Sequence, residues 1–186
     1  MIESLKNFLQ KMAPKSAFVD SSIDPSCRII NGTFQVSQCT VDEKLKINGA
    51  ATLGQNTIVK KPITVNGQFE ATGTTFEDDL FANGTTDINN STLKRKAHFS
   101  GNLTARDCHF TNFIILLAHD ASFVNCQIDH VTIHGLPYIK APQKIRLSNG
   151  CEVSGDITFE AENGEVWIEK SSQIHGKVNG GKIIFI

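Results

Sequence analysis

From about Phe18 onward, apolar and polar residues alternate in short runs, and glycines interrupt the runs at regular intervals. The recurring unit is apolar-x-Gly-x-apolar: Ile30-Asn-Gly-Thr-Phe34, Ile47-Asn-Gly-Ala-Ala51, Val65-Asn-Gly-Gln-Phe69 and Phe99-Ser-Gly-Asn-Leu103. Alternation on both sides of the glycine predicts short strands with one buried face. The glycine itself falls outside that face, at a corner that needs positive φ or close backbone approach. The Asn or Ser before it suits a tight turn.

These units repeat. Gly32, Gly49, Gly67, Gly84, Gly101 and Gly135 are separated by 17, 18, 17, 17 and 34 residues, and His119 occupies the slot that the last step skips. An apolar column, Val41, Ile58, Phe76, Leu93, Phe110 and Ile128, runs in the same phase. Two residues earlier lies a column of small residues, Cys39, Asn56, Thr74, Ser91, Cys108 and Cys126. Self-similarity at this period predicts a β-solenoid with one coil per repeat. A coil of 17 or 18 residues divides into three strands and three corners. The expected fold is therefore all-β: a single-stranded parallel β-helix of triangular section, its coils stacked about 4.8 Å apart.

The regular coils span 18–135. Residues 136–186 form an interrupted C-terminal block, because Pro137 and Pro142 exclude central strands and the glycine spacing stretches to 20 and 21. Residues 1–14 read differently. Ile2, Leu5, Phe8, Leu9 and Met12 line one face of an amphipathic helix that Pro14 ends. Such a helix would cap the open end of the solenoid, with a membrane-surface contact as the weaker reading of the same residues. At the other end Ile183, Ile184, Phe185 and Ile186 form the last strand, with no capping segment after it.

Composition adds limits. A net charge of −1 gives no bulk attraction to nucleic acid. No apolar run is long enough for a transmembrane helix, and the N-terminus does not have the form of a secretory signal. The sequons at Asn31, Asn83, Asn90 and Asn102 then read as turn sequences. Five cysteines without a CxxC pair fit reduced thiols in a cytoplasm. Cys108 and Cys126 should stack on adjacent coils as free thiols.

Candidate chemistry is sparse. His119, His130 and His134 are the nearest approach to a metal site, but His130 and His134 would lie too far apart along a strand to converge. No phosphate loop, catalytic triad order or nucleophile elbow occurs, so no enzyme activity, cofactor or metal is expected. One Trp, one Tyr and mostly inward Phe do not make an aromatic row for polysaccharide. The charged residues form a pattern instead. Asp42-Glu43, Lys60-Lys61, Glu77-Asp78-Asp79 and Lys94-Arg95-Lys96 should occupy one corner of four successive coils with alternating sign. That is a salt-bridge ladder that penalises a one-coil slip.

The C-terminal run Cys151-Glu-Val-Ser-Gly-Asp-Ile157, followed by Val166-Trp-Ile-Glu-Lys-Ser-Ser-Gln-Ile174-His-Gly-Lys-Val178, resembles the bactofilins, polymer-forming bacterial cytoskeletal proteins. The resemblance implies right-handed winding and a cytoplasmic scaffold that self-associates through the ends of its β-helix. With one end capped, a C-terminal end-to-end dimer is expected rather than a filament. The alternative is a binding module that presents a solenoid face to a protein or glycan.

Overall fold

A computed structural model describes residues 29–136 and 141–186 in full and the backbone of Ser16–Asp24. It is a parallel β-solenoid of about nine turns, and no helix occurs among the described residues. Each coil contributes to three faces. In the first four coils one long strand runs unbroken over the first and second faces: Ile29–Ser37, Leu45–Leu53, Ile63–Thr72 and Leu80–Asn89. Later coils split it in two, as in Ala97–Ser100 and Leu103–Arg106. The third face carries strands of two or three residues, from Thr40–Val41 to Gln173–Ile174.

The inward positions of the alternation hold the apolar residues of the core. Phe34, Phe69, Phe76, Phe99, Phe110, Phe123 and Phe159 are each at most 2% exposed and fill the axis of the coil. Burial of that area is the main stabilising term, as in any domain that has only one continuous core.

Register across the first corner is glycine on glycine: Gly32 against Gly49, Gly49 against Gly67, and Gly67 against Gly84. At Gly67 φ is +141°, and a Cβ there would stand 2.0 Å from the Gly49 carbonyl oxygen. Positive φ and close approach therefore apply together at this column. Beside it the amides of Asn31, Asn48, Asn66 and Asn83 hydrogen-bond from coil to coil at 2.7–2.9 Å.

Four expectations change in the structure. The slot that the glycine column skips is held by Ala118, which register sets between Gly101 and Gly135, and His119 stands one residue past it. The inward apolar column runs Val41, Val59, Phe76, with Ile58 pointing out and 38% exposed. Its small neighbour is Thr57, 1% exposed, and not Asn56. The extra residue of this coil lies in the second corner, where Asn56 takes φ 59° and turns the chain. Asn tolerates that left-handed conformation, so it marks a turn here, not a core position.

Gly155 and Gly176 do not continue the glycine column of the first corner. They lie at the third corner, where a Cβ on Gly176 would meet the Gly155 carbonyl oxygen at 2.2 Å. Val153-Ser-Gly-Asp-Ile157 has the same form as Ile30-Asn-Gly-Thr-Phe34 because both corners join two inward residues four apart.

The capping helix expected over residues 1–14 lies outside the described residues. What the structure places on the first coil is the strand Ser16–Asp24, antiparallel to Ile29–Ser37. It supplies backbone partners to an edge that would otherwise be open. The first parallel coil begins at Ile29.

The interruption after Gly135 is bridged by a side chain. Gln143 is 3% exposed, and its Nε2 donates to the carbonyls of Ala118 at 2.8 Å and His134 at 3.0 Å. It takes over backbone acceptors that a regular corner would have satisfied through the main chain.

Candidate functional site

The C-terminal end is where the apolar core reaches the surface. Gly181–Phe185 pairs with Gly164–Ile168, setting Ile183 on Val166, Ile184 on Trp167 and Phe185 on Ile168. Val166 and Ile168 are buried, so Ile183 and Phe185 continue the inward column. Among the described residues nothing covers them: Ile183 is 44% exposed, Phe185 72% and Ile186 44%. Ile184 lies on the outward side, by strand alternation. The strand is the last of its sheet, so its second edge has no strand partner among the described residues. An apolar cross-section beside an unpaired edge is a surface that another β-element can extend. The residues named for the other end, Ile2, Leu5, Phe8, Leu9 and Met12, lie outside the described residues.

The charged groups meet at the corner between the third and first faces. Strand register aligns Asp42 with Lys60 and Glu77 with Lys94, and it brings Lys60 beside Glu77. Glu43, Lys61, Asp78 and Arg95 follow one position on, then Asp79 and Lys96. Lys94 Nζ stands 3.1 Å from Glu77 Oε1, and the Lys96 backbone N–H donates to Asp79 Oδ1 at 3.2 Å. These side chains are exposed, so one pair contributes about 0–1 kcal/mol. Lys94→Glu should therefore lower stability by less than about 1 kcal/mol, and by less again at high salt. Urea unfolding at two salt concentrations measures this, and a salt-independent loss would rule out an electrostatic role.

The small column turns out to be a hydrogen-bonded stack. Strand register continues it from Cys108 and Cys126 to Cys151 and Ser172. Backbone N–H groups donate along it: Thr74 to Ser91 Oγ at 3.1 Å, Cys126 to Cys151 Sγ at 3.3 Å, and Cys151 to Ser172 Oγ at 3.0 Å. In turn the Ser91 hydroxyl donates to the Asn89 carbonyl and the Cys108 thiol to that of Arg106. The second corner leaves these groups without regular ladder partners, which is why its inward residue is small and polar. Sequence reasoning missed Thr57, Cys151 and Ser172, although each stands two residues before an inward apolar residue, as Cys108 does.

Cys39, Cys108, Cys126 and Cys151 are free thiols, at most 5% exposed. The hydrogen bond to Cys108 pushes the Cys126 thiol up to about 12. Cys151 is also raised, by its hydrogen bond to Cys126 and by burial. Burial raises Cys39. Cys108 is moved down by the hydrogen bond from Cys126, against its own burial. Thiols buried out of reach of water and reagent react slowly. In a Cys27→Ser background, the four should resist an aromatic disulfide reagent in native buffer and react together on denaturation. One thiol that reacts natively at the rate of free cysteine would contradict this packing.

The three histidines do not converge. His119 Nδ1 is 2.6 Å from Asp120, His130 Nδ1 is 3.0 Å from Asp129, and His134 Nδ1 is 2.6 Å from Glu160. The His130 ring also stacks on Phe113 at 4.9 Å. No group of three His, Cys, Asp or Glu side chains placed to hold a metal occurs among the described residues.

A shallow groove of about 310 Å³ on the third face is lined by His109, Gln127, Asp129, Glu152 and Ser154 among others. It lies where the corner after Ile128 has two residues and the coils on either side have three. Nothing in it forms a nucleophile–base pair.

No helix among the described residues is long and apolar enough to cross a membrane. Comparison with protein-family models, curated proteins and solved structures finds no match to this chain. The architecture places it among parallel β-solenoids.

Proposed function

We propose that this chain is a non-enzymatic scaffold protein of bactofilin type, a right-handed β-helix that self-associates through its C-terminal end in a bacterial cytoplasm. One observation carries the reading: among the described residues the core column reaches Ile183 and Phe185, exposed beside an unpaired strand edge. The first coil differs, because Ser16–Asp24 pairs with it. Two C-terminal ends brought together by a two-fold axis form a closed contact, in which each strand edge and each Phe185 meets its own copy. Closure of that two-fold contact makes a dimer the natural limit of assembly through this end. The buried neutral thiols suit a reducing compartment.

The test is solution mass over a range of concentrations. A dimer that dissociates on dilution supports the reading, and so does a polymer, with the limit then placed elsewhere. A strict monomer favours the alternative, a binding module that presents one solenoid face to a partner.

A further inference from the structure

The first face changes character along the stack. Its outward positions are polar nearer the N-terminus, at Lys46, Asn48, Thr64 and Asn66, and polar again at Thr158, Glu160 and Asn179. Between those ends stand Phe81, His98, Ile115 and Leu117. Phe113 joins them from the adjoining corner, on the rung of Ile115 and Leu117. Apart from Ile58, large apolar side chains are exposed in two places among the described residues. One is the C-terminal end, and the other is this rung, where Phe113 is 44% and Leu117 40% exposed. The aromatic rings are braced: Phe81 stacks on His98 at 4.7 Å and Phe113 on His130 at 4.9 Å. An apolar patch rimmed by polar residues marks a contact surface.

The order of charges beside the patch says what covers it. Strand register sets Asp79, Lys96, Phe113, His130, Asp156 and Lys177 in one column along the edge of this face, a rung apart. The column carries no surplus of either sign, because each lysine follows an aspartate. One carboxylate oxygen of Asp79 accepts the Lys96 backbone N–H at 3.2 Å, and one of Asp156 accepts that of Lys177 at 2.8 Å. The sequence of signs is acid, base, two rings, acid, base. Reversed in direction and exchanged in sign, it is the same sequence. Such a column is complementary to itself when laid antiparallel.

We propose that the first face pairs antiparallel with the first face of a second copy, about a two-fold axis between the rungs of Ile115 and Thr132. In that register Asp79 meets Lys177 of the second copy and Lys96 meets its Asp156, each twice by symmetry. Phe113 then lies against His130, Leu117 against His134 and Ile115 against Thr132, so the exposed apolar groups are covered. A slip of one rung is penalised in both directions: one way opposes Asp79 to Asp156, the other Lys96 to Lys177. Charges arranged like this fix register and orientation more than they add affinity. From Asp79 to Lys177 the contact is about 24 Å long, at about 4.8 Å per rung. That is small for a specific interface, and pairing with a Kd of about 0.1–1 mM is expected. The contact is closed and isologous, lies on a face, and stands independently of association through the C-terminal end.

Sedimentation equilibrium of the full chain carrying Phe185→Arg, up to about 1 mM protein, isolates this contact from the C-terminal one. A monomer–dimer equilibrium is expected, and adding Leu117→Glu, with unchanged circular dichroism, should abolish it. Lys96→Glu and Asp156→Lys should each weaken pairing roughly three- to tenfold, and together they should restore it. Within one chain those two positions are three coils apart, about 14 Å, beyond the screening length at physiological salt. Rescue can therefore act only between copies. A Phe185→Arg dimer that persists at micromolar concentration and dissociates with Leu117→Glu would sustain the face contact while refuting the C-terminal one. The proposal is overturned if Phe185→Arg stays monomeric throughout, if Leu117→Glu leaves pairing unchanged, or if the charge-exchanged pair associates no better than either single variant.

Discussion

Gly67→Ala is expected to cost about 3–5 kcal/mol of stability. Two penalties coincide. At φ +141° an L-residue carries backbone strain of about 1–3 kcal/mol. The new Cβ would also stand 2.0 Å from the Gly49 oxygen and 2.9 Å from its carbonyl carbon. Both atoms are backbone within the ladder that pairs Ile63–Thr72 with Leu45–Leu53, so neither can swing aside. Relief requires the two coils to part, which breaks parallel pairing and opens the core between Val65 and Phe69. Gly150→Ala provides the comparison. There φ is +84°, but the nearest atom to a new Cβ is Asn125 Oδ1, 3.9 Å away. Strain without collision should cost about 1 kcal/mol. For a chain of this length the difference amounts to about 10 °C in melting temperature. Equal loss in the two variants would show that φ alone decides, and that the close approach adds nothing.

Phe185→Arg is expected to convert the proposed dimer into monomers, weakening association by more than about a hundredfold. Phe185 is the most exposed large apolar side chain among the described residues and stands directly over Ile168. In an end-to-end contact it would be buried against its own copy. Two guanidinium groups at that joint would face each other without water or counter-charge. Ile184→Arg is the control on the same strand: its side chain points outward beside Trp167, so mass in solution should change little. Sedimentation of both variants tests the geometry as well as the contact. If Phe185→Arg keeps the wild-type mass, the C-terminal end is not the interface. Dissociation by Ile184→Arg alone would place the interface on the second face.

Much of the fold could be read from periodicity. Inward residues must be apolar in every coil, so Phe34, Phe69 and Phe99 announce a buried axis whatever their neighbours are. The glycine column was equally legible from Gly32 to Gly101, since positive φ and the close approach of the carbonyl below together leave no room for a Cβ at that corner. The shared corner of the charged residues followed from the same phase, and of their side chains Lys94 and Glu77 form an ion pair. Where coil length varied, phase became ambiguous. One extra residue at Asn56 shifted the assignment from Val59 to Ile58, since either neighbour is apolar and only the backbone turn distinguishes them. Gly155 was misplaced for a related reason: two different corners share one local pattern.

By itself the amino-acid sequence determined the solenoid, its period, its inward residues and the polar character of its corners. Those properties are local and repeat with the coil, so each residue carries its own share of the information. Tertiary structure alone decided what lies beside what across coils. It set Cys126 against Cys151, Gln143 under the carbonyls of an irregular corner, and Lys144 and Arg146 around Trp167. It also divided the last strand, turning Ile183 and Phe185 to the open end and Ile184 to a face. Most contacts of that kind join residues far apart in the chain through strand register, as between Ala118 and Gln143, 25 positions apart. Register depends on how many residues each corner consumes, and a corner's length is settled only when the coils above and below it have packed.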